Sequence, residues 1–219
     1  MKLKAITLVE IIIAMTILTA LSVIALPALR QNSPDNEITK FRHVYGVMSN
    51  VIANMISDKA IYPDNYGFAN TNTITMRNTG AQYGGPTKFK KVFKENFNVL
   101  EEDIEIQETK VPLYEVGPIS GVGATSITVA NKLECFTNNS GVTYCPPETP
   151  IFNGVQILKN LFIRVHINDK YEIDHAIYFK VASDGKIEFP YKIDNKFNCT
   201  LPEYNKYMQC RVISMLDEL

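Results

Sequence analysis

Residues 160–189 read "NLFIRVHINDKYEIDHAIYFKVASDGKIEF" and carry the clearest structural signal in this chain of 219 residues. Leu161, Ile163, Val165 and Ile167 alternate with Phe162, Arg164, His166 and Asn168. A period of two puts one set on each face of a pleated strand, so 160–168 is predicted to be a β-strand. "DHAIYFKVA" (174–182) reads as a second strand, and Ser183-Asp184-Gly185-Lys186 as the hairpin turn after it, because Asp-Gly accepts positive φ. "KIEFPYKI" (186–193) follows as a third, with Pro190 steering what comes next to a sheet edge. Working outward, "SITVA" (126–130) and "MQCRVISM" (208–215) read as further strands.

Upstream the period changes. In "RQNSPDNEITKF" (30–41), Ser33 suits a helix N-cap, Pro34 the first helical position, and Asp35 and Glu37 the first turn. A helix is predicted from Pro34 to Ser57. Ile38, Phe41, Val44, Tyr45, Met48, Val51, Ile52, Met55 and Ile56 form one apolar face, opposite Lys40, Arg42, Asn50 and Asn54. Residues 61–89, dense in Asn, Gly, Pro and Thr, read as a connecting loop with a short strand at Thr73–Arg77. "TKFKKVFKENFNVLEEDIE" (87–105) reads as a short surface helix whose lysines and glutamates make a solvated face.

The chain opens with Lys2 and Lys4, followed by an apolar run from Ile6 to Leu29, 24 residues in which Glu10 is the only charge. As a helix the run would be roughly 36 Å long, enough to cross a bilayer. The leading lysines favour a cytoplasmic N-terminus and an extracytoplasmic remainder. Four cysteines suit that side of a membrane. Of three connectivities, Cys135–Cys145 and Cys199–Cys210 close the shortest loops, enclosing 9 and 10 residues; a four-cysteine metal site normally shows CxxC spacing, which is absent. The net charge of −1 argues against a nucleic-acid partner.

A carboxylate within a membrane-seeking segment is costly and tends to mark function. Near a helix start, Glu10 also gains from the positive dipole end and from unpaired N–H groups. Its neighbours carry a resemblance: "A-ITLVE" followed by "IIIAMTILTALSVIALPAL" resembles the N-terminus of type IV pilins and of type II secretion pseudopilins. In that family, prepilin peptidase removes a short basic leader and methylates the new terminal amine. The resemblance implies cleavage between Ala5 and Ile6, N-methylation of Ile6, and assembly roles for Glu10 as the fifth mature residue and Pro27 as the twenty-second. Ala5 stands where the family usually has glycine, and Ile6 where it usually has phenylalanine. The late Cys199–Cys210 pair resembles the disulfide-bounded loop near the C-terminus of many pilins.

Catalytic constellations are scarce. His43, His166 and His175 are the three histidines. His166 and His175 lie near Asp169, Glu172 and Asp174, a weak metal pattern for which solvent-exposed strand histidines are the preferred explanation. "GVGATS" (121–126) lacks the strand–helix frame of a phosphate loop. Asn138 and Asn198 stand in N-x-S/T patterns.

The reading therefore expects an α+β, pilin-like fold: a long N-terminal helix, transmembrane then amphipathic, packed on a small antiparallel β-sheet. It divides the chain into a leader (1–5), a transmembrane and assembly helix (6–29), an amphipathic helix (30–60) and an extracytoplasmic globular domain (61–219). The expected function is a filament subunit, not an enzyme, with no cofactor and no metal. The resemblance implies a bacterial inner-membrane location before assembly. It also implies, as partners, other pilin or pseudopilin subunits, prepilin peptidase, an inner-membrane assembly platform and membrane lipid. A single-span anchored binding module that never assembles, and a secreted protein cut near residues 25–28, are the alternatives.

Overall fold

In a computed structural model, the residues described are 34–63, 66–75, 80–118, 126–150, 156–168, 171, 173–193 and 197–217. The chain divides into two compact units, Met1–Lys40 and Phe41–Leu219. The apolar run lies outside the described residues, and among those described no helix is long and apolar enough to cross a membrane.

Helix α1 spans Pro34–Ser57, as its capping signals predict. Within the second unit it buries Phe41, Val44, Met48, Val51, Ile52 and Met55, spaced by three and four so that they share one stripe. These join Leu161, Ile163, Val165, Ile177 and Phe179 in the main core, and the Phe41 and Phe179 rings lie 6.3 Å apart. A short helix α2, Lys88–Glu95, adds Phe89, Val92 and Phe93 to the same core. Helix α3, Met208–Asp217, ends the described chain.

The strands, in chain order, are β1 (Ile74–Thr75), β2 (Gln82–Tyr83), β3 (Val99–Pro118), β4 (Ser126–Asn138), β5 (Thr143–Cys145), β6 (Gln156–His166), β7 (Ala176–Ala182), β8 (Ile187–Glu188), β9 (Lys192–Ile193) and β10 (Phe197–Asn198). β1–β2 and β9–β10 form small separate ladders, and the main sheet has the order β3-β4-β5-β6-β7-β8. β3 also pairs with β6, from Tyr114↔Leu161 to Pro118↔Gln156. That second pairing closes β3, β4, β5 and β6 into a four-strand barrel, with β7 and β8 as extra strands.

This corrects the expected pilin-like α+β fold, a long N-terminal helix on a small antiparallel sheet. The described protein is mostly β, and its sheet closes on itself. The cause lies in β3. Twenty residues of straight strand would reach about 65 Å, but β3 shifts register between Glu101 and Ile104 and again between Gln107 and Val111. Asp103 and Lys110, at those two shifts, adopt φ of 56° and 58°. Such bulges bend and twist a strand, so its first part pairs with β4 alone and its last part reaches β6 as well. Each bulge also resets the alternation, which is why 99–118 does not read as a strand from sequence.

Two further expectations change. The helix predicted over 87–105 stops at Glu95, where Asn96 donates its side-chain amide to the Val92 carbonyl at 2.8 Å and β3 begins three residues later. "MQCRVISM" (208–215) is helix, not strand. Met208, Gln209, Cys210, Val212 and Ile213 are buried, and no alternating pattern produces that set. Of the other strand predictions, 126–130 falls within β4, 160–168 overlaps β6 but runs two residues past its end at His166, and 174–182 overlaps β7, with Asp174 and His175 lying in the 3-10 turn before it. The hairpin turn after β7 also forms: Gly185 has φ of 91°, its N–H donates to Ala182 O at 2.9 Å, and Lys186 N donates to Asp184 Oδ1 at 3.1 Å.

Both faces of the sheet are covered. Phe162 and Tyr178 turn away from α1 into a second core with Ile106, Val111, Leu133, Cys135, Cys145 and Cys210. Both disulfides border this core, Cys135–Cys145 and Cys199–Cys210, the two short-loop pairings.

Candidate functional site

The local sequence of α2 builds one wall of a groove. Phe89, Val92 and Phe93 point into the core, which leaves Lys90, Lys91 and Lys94 on the other side, in line with Thr87. The facing wall is β4 where it loses its neighbour. β4 and β5 pair at Thr137↔Thr143 and Phe136↔Tyr144, and the next cross-strand position is the Cys135–Cys145 disulfide. Pro146 and Pro147 follow, and neither has an N–H to continue the ladder.

The gap is a groove of two lobes, about 210 Å³ and 280 Å³. Thr87, Lys91, Lys94 and Asp103 stand over Cys135 and Phe136 in the first. Leu113, Lys132, Leu133, Pro146 and Pro147 line the second. Lys90, Glu134 and Glu148 belong to both, and the Lys90–Glu134 ion pair marks the boundary. The hydrogen bond from Lys90, then its charge, holds the Glu134 carboxyl below its ordinary range. Lys94 pairs with Glu102 at 2.8 Å, and Lys132 with Glu105. The groove thus presents both signs of charge over an apolar floor. Neither lobe is lined by a histidine or a free thiol among the described residues.

Two buried charges lie away from the groove. Arg164 on β6 is 1% exposed. Its Nε donates to His166 Nε2 at 2.9 Å, and its Nη2 donates to the Tyr171 carbonyl at 2.8 Å. Burial lowers the Arg164 pKa and pushes that of Tyr178, whose ring lies 5.9 Å away, up to about 12. Lys88, at the start of α2, is also 1% exposed. Its Nζ lies 3.0 Å from Asn70 Oδ1 and 4.6 Å from the centre of the Tyr62 ring. The same Asn70 oxygen accepts the Asn72 N–H at 3.0 Å. Sequence reasoning placed the lysines of 87–105 on a solvated face and missed this one. The available signal was its position on the Phe89 side of a short amphipathic helix.

Ala5, Ile6, Glu10 and Pro27 lie outside the described residues, as do Asp169 and Glu172. Cys135, Cys145, Cys199 and Cys210 are paired as expected. Among the described residues His166 and His175 belong to no group that could hold a metal, and His166 is buried rather than on a solvated strand face. The Nε2 lone pair of His166 is taken by Arg164, and His175 Nε2 lies 3.9 Å from Asp174 Oδ1. No group of three His, Cys, Asp or Glu side chains is arranged to hold a metal among the described residues. Of the two N-x-S/T asparagines, Asn138 is buried, its amide oxygen accepting from Ser140 N and Val142 N. Asn198 accepts from the backbone and hydroxyl of Thr200. Comparison with known proteins finds no matching family model, no matching curated protein and no matching solved structure.

Proposed function

We infer that the protein is a subunit of a type IV pilus or type II secretion pseudopilus, cleaved after Ala5 by prepilin peptidase, methylated on Ile6 and assembled through its apolar segment. The observation that carries this reading is the N-terminal sequence: a basic leader, an apolar run whose only charge is Glu10 at the fifth mature position, and Pro27 together. The physics suits the role. In an apolar bundle Glu10 can pair with the terminal amine of a neighbouring subunit, and although desolvation offsets much of the Coulomb gain, a misaligned neighbour leaves two charges unpaired. The pair therefore sets register more than it adds stability. Two disulfides in the folded unit support an extracytoplasmic, oxidising setting. The two-sign charge of the groove suits recognition in which ion pairs choose partner and orientation.

The closed β-rich head is not the head the resemblance implies, and that observation favours a second reading: a single-span anchored binding module that does not assemble. Terminal sequencing and Glu10→Ala separate the two. On the first reading the isolated protein begins at N-methylated Ile6, and Glu10→Ala stays in the membrane but leaves filaments. An intact Met1, with unchanged behaviour of Glu10→Ala, sinks it.

A further inference from the structure

The Lys88–Asn70 pair has the arrangement of a reaction as well as of a hydrogen bond. Both side chains are buried, at 1% and 6% exposure, among the packed rings of Tyr62, Phe68 and Phe89, themselves no more than 1% exposed. The amine nitrogen stands 3.0 Å from the amide oxygen, so the two side chains that would react are already in contact. The amide oxygen is also held by the Asn72 backbone N–H at 3.0 Å. We propose that Lys88 and Asn70 are joined through their side chains by an isopeptide bond formed by the protein itself.

The step balances without a co-reactant. The lone pair of Lys88 Nζ attacks Asn70 Cγ, and the oxygen of the tetrahedral intermediate takes up negative charge. The Asn72 N–H, already aimed at that oxygen, stabilises the charge as a fixed donor does in an oxyanion hole. The Cγ–Nδ2 bond then breaks, and Nδ2 leaves as ammonia carrying the proton that Nζ gives up. The attack runs through the neutral amine, since only that form is a nucleophile. Water, the competing nucleophile, is excluded by the aromatic wall. Folding holds the two groups in contact, which supplies the proximity that makes a sluggish amide exchange feasible. The product ties the first turn of α2 to the loop after the 67–69 turn, so the β1–β2 ladder sits inside a covalent loop. Such a tie removes loop entropy from the unfolded chain much as a disulfide does, and reduction does not open it.

The test uses the full chain, digested with trypsin under denaturing and reducing conditions and mapped by tandem mass spectrometry. The expected result is a branched peptide containing both Asn70 and Lys88, lighter than the sum of its two arms by one ammonia, with no cleavage after Lys88. Lys88→Met, which keeps most of the side-chain volume, should abolish the branched species. Recovery of two linear peptides at full mass, with trypsin cutting after Lys88, overturns the proposal; so does a branched species that survives Lys88→Met.

Discussion

Gln209 offers the sharpest test of how the C-terminal segment holds the sheet. Its side chain is 1% exposed and stands in for a missing strand. Oε1 accepts the Tyr178 N–H from the outer edge of β7 at 2.8 Å, and Nε2 donates to the Pro190 carbonyl at 3.2 Å. Replacing it by leucine preserves volume and helix propensity but removes both bonds. Stranding a buried N–H costs about 1–3 kcal/mol, and the partly buried Pro190 carbonyl adds less. Burial of the leucine returns part of this, so Gln209→Leu should lose about 2 kcal/mol, or roughly 4–8 °C in Tm for a unit of this size. The assay is urea unfolding of the full chain in detergent, disulfides intact, followed by circular dichroism. Ser214→Ala, at an exposed position of the same helix, serves as the control and should stay within about 0.5 kcal/mol. A Gln209→Leu protein as stable as the parent would refute the reasoning, as would an equal loss from Ser214→Ala, because the helical register assigns the two residues opposite environments.

Three other outcomes are expected. Gly67→Ala should lose about 2–4 kcal/mol in the same assay, since φ is +54° and an added Cβ would lie 1.9 Å from Ser183 O, the acceptor of Phe68 N–H; a loss under 1 kcal/mol means that the 67–69 turn packs elsewhere. Under limiting phosphine, alkylation mapping should find Cys199–Cys210 reduced before Cys135–Cys145, because Cys199 is part-exposed while Cys135 and Cys145 are buried; the reverse order would contradict the packing of α3. Lys90 depresses the Glu134 pKa, so the pair's contribution is present above the unfolded-state value near 4.3 and is lost as pH falls through the lower folded value. With Glu134 half exposed, Glu134→Gln should remove no more than about 1 kcal/mol of that acid-side slope, less at high salt; unchanged stability between pH 3 and 6 with a large effect at pH 8 would count against the ion pair.

Local rules and tertiary context divide cleanly along this chain. Helix α1 was legible because its caps and its apolar stripe agree, and β6, β7 and their hairpin because period-two alternation meets an Asp-Gly turn. The disulfides were legible because short loops close most readily. The groove was not: it needs Pro146 and Pro147 to end a ladder opposite β4 while α2, about forty residues earlier, supplies the lysines. Arg164 and Lys88 look like surface charges in a linear string, and only the second covering layer and the aromatic cluster make them interior.

By itself the sequence determined the N-terminal segment's affinity for an apolar phase, the placing of Glu10 within it, and the strand or helix period of each strongly patterned segment. Those properties depend on composition and on spacing along one element. The tertiary structure alone decided that β3 bends at Asp103 and Lys110 and closes on β6, and that residues 208–217 coil into a helix that caps the edge of β7. Both outcomes depend on partners far apart in sequence: bulges hide the alternation of β3, and a buried glutamine bonded to Tyr178 and Pro190 outweighs the weak strand preference of the segment around Cys210.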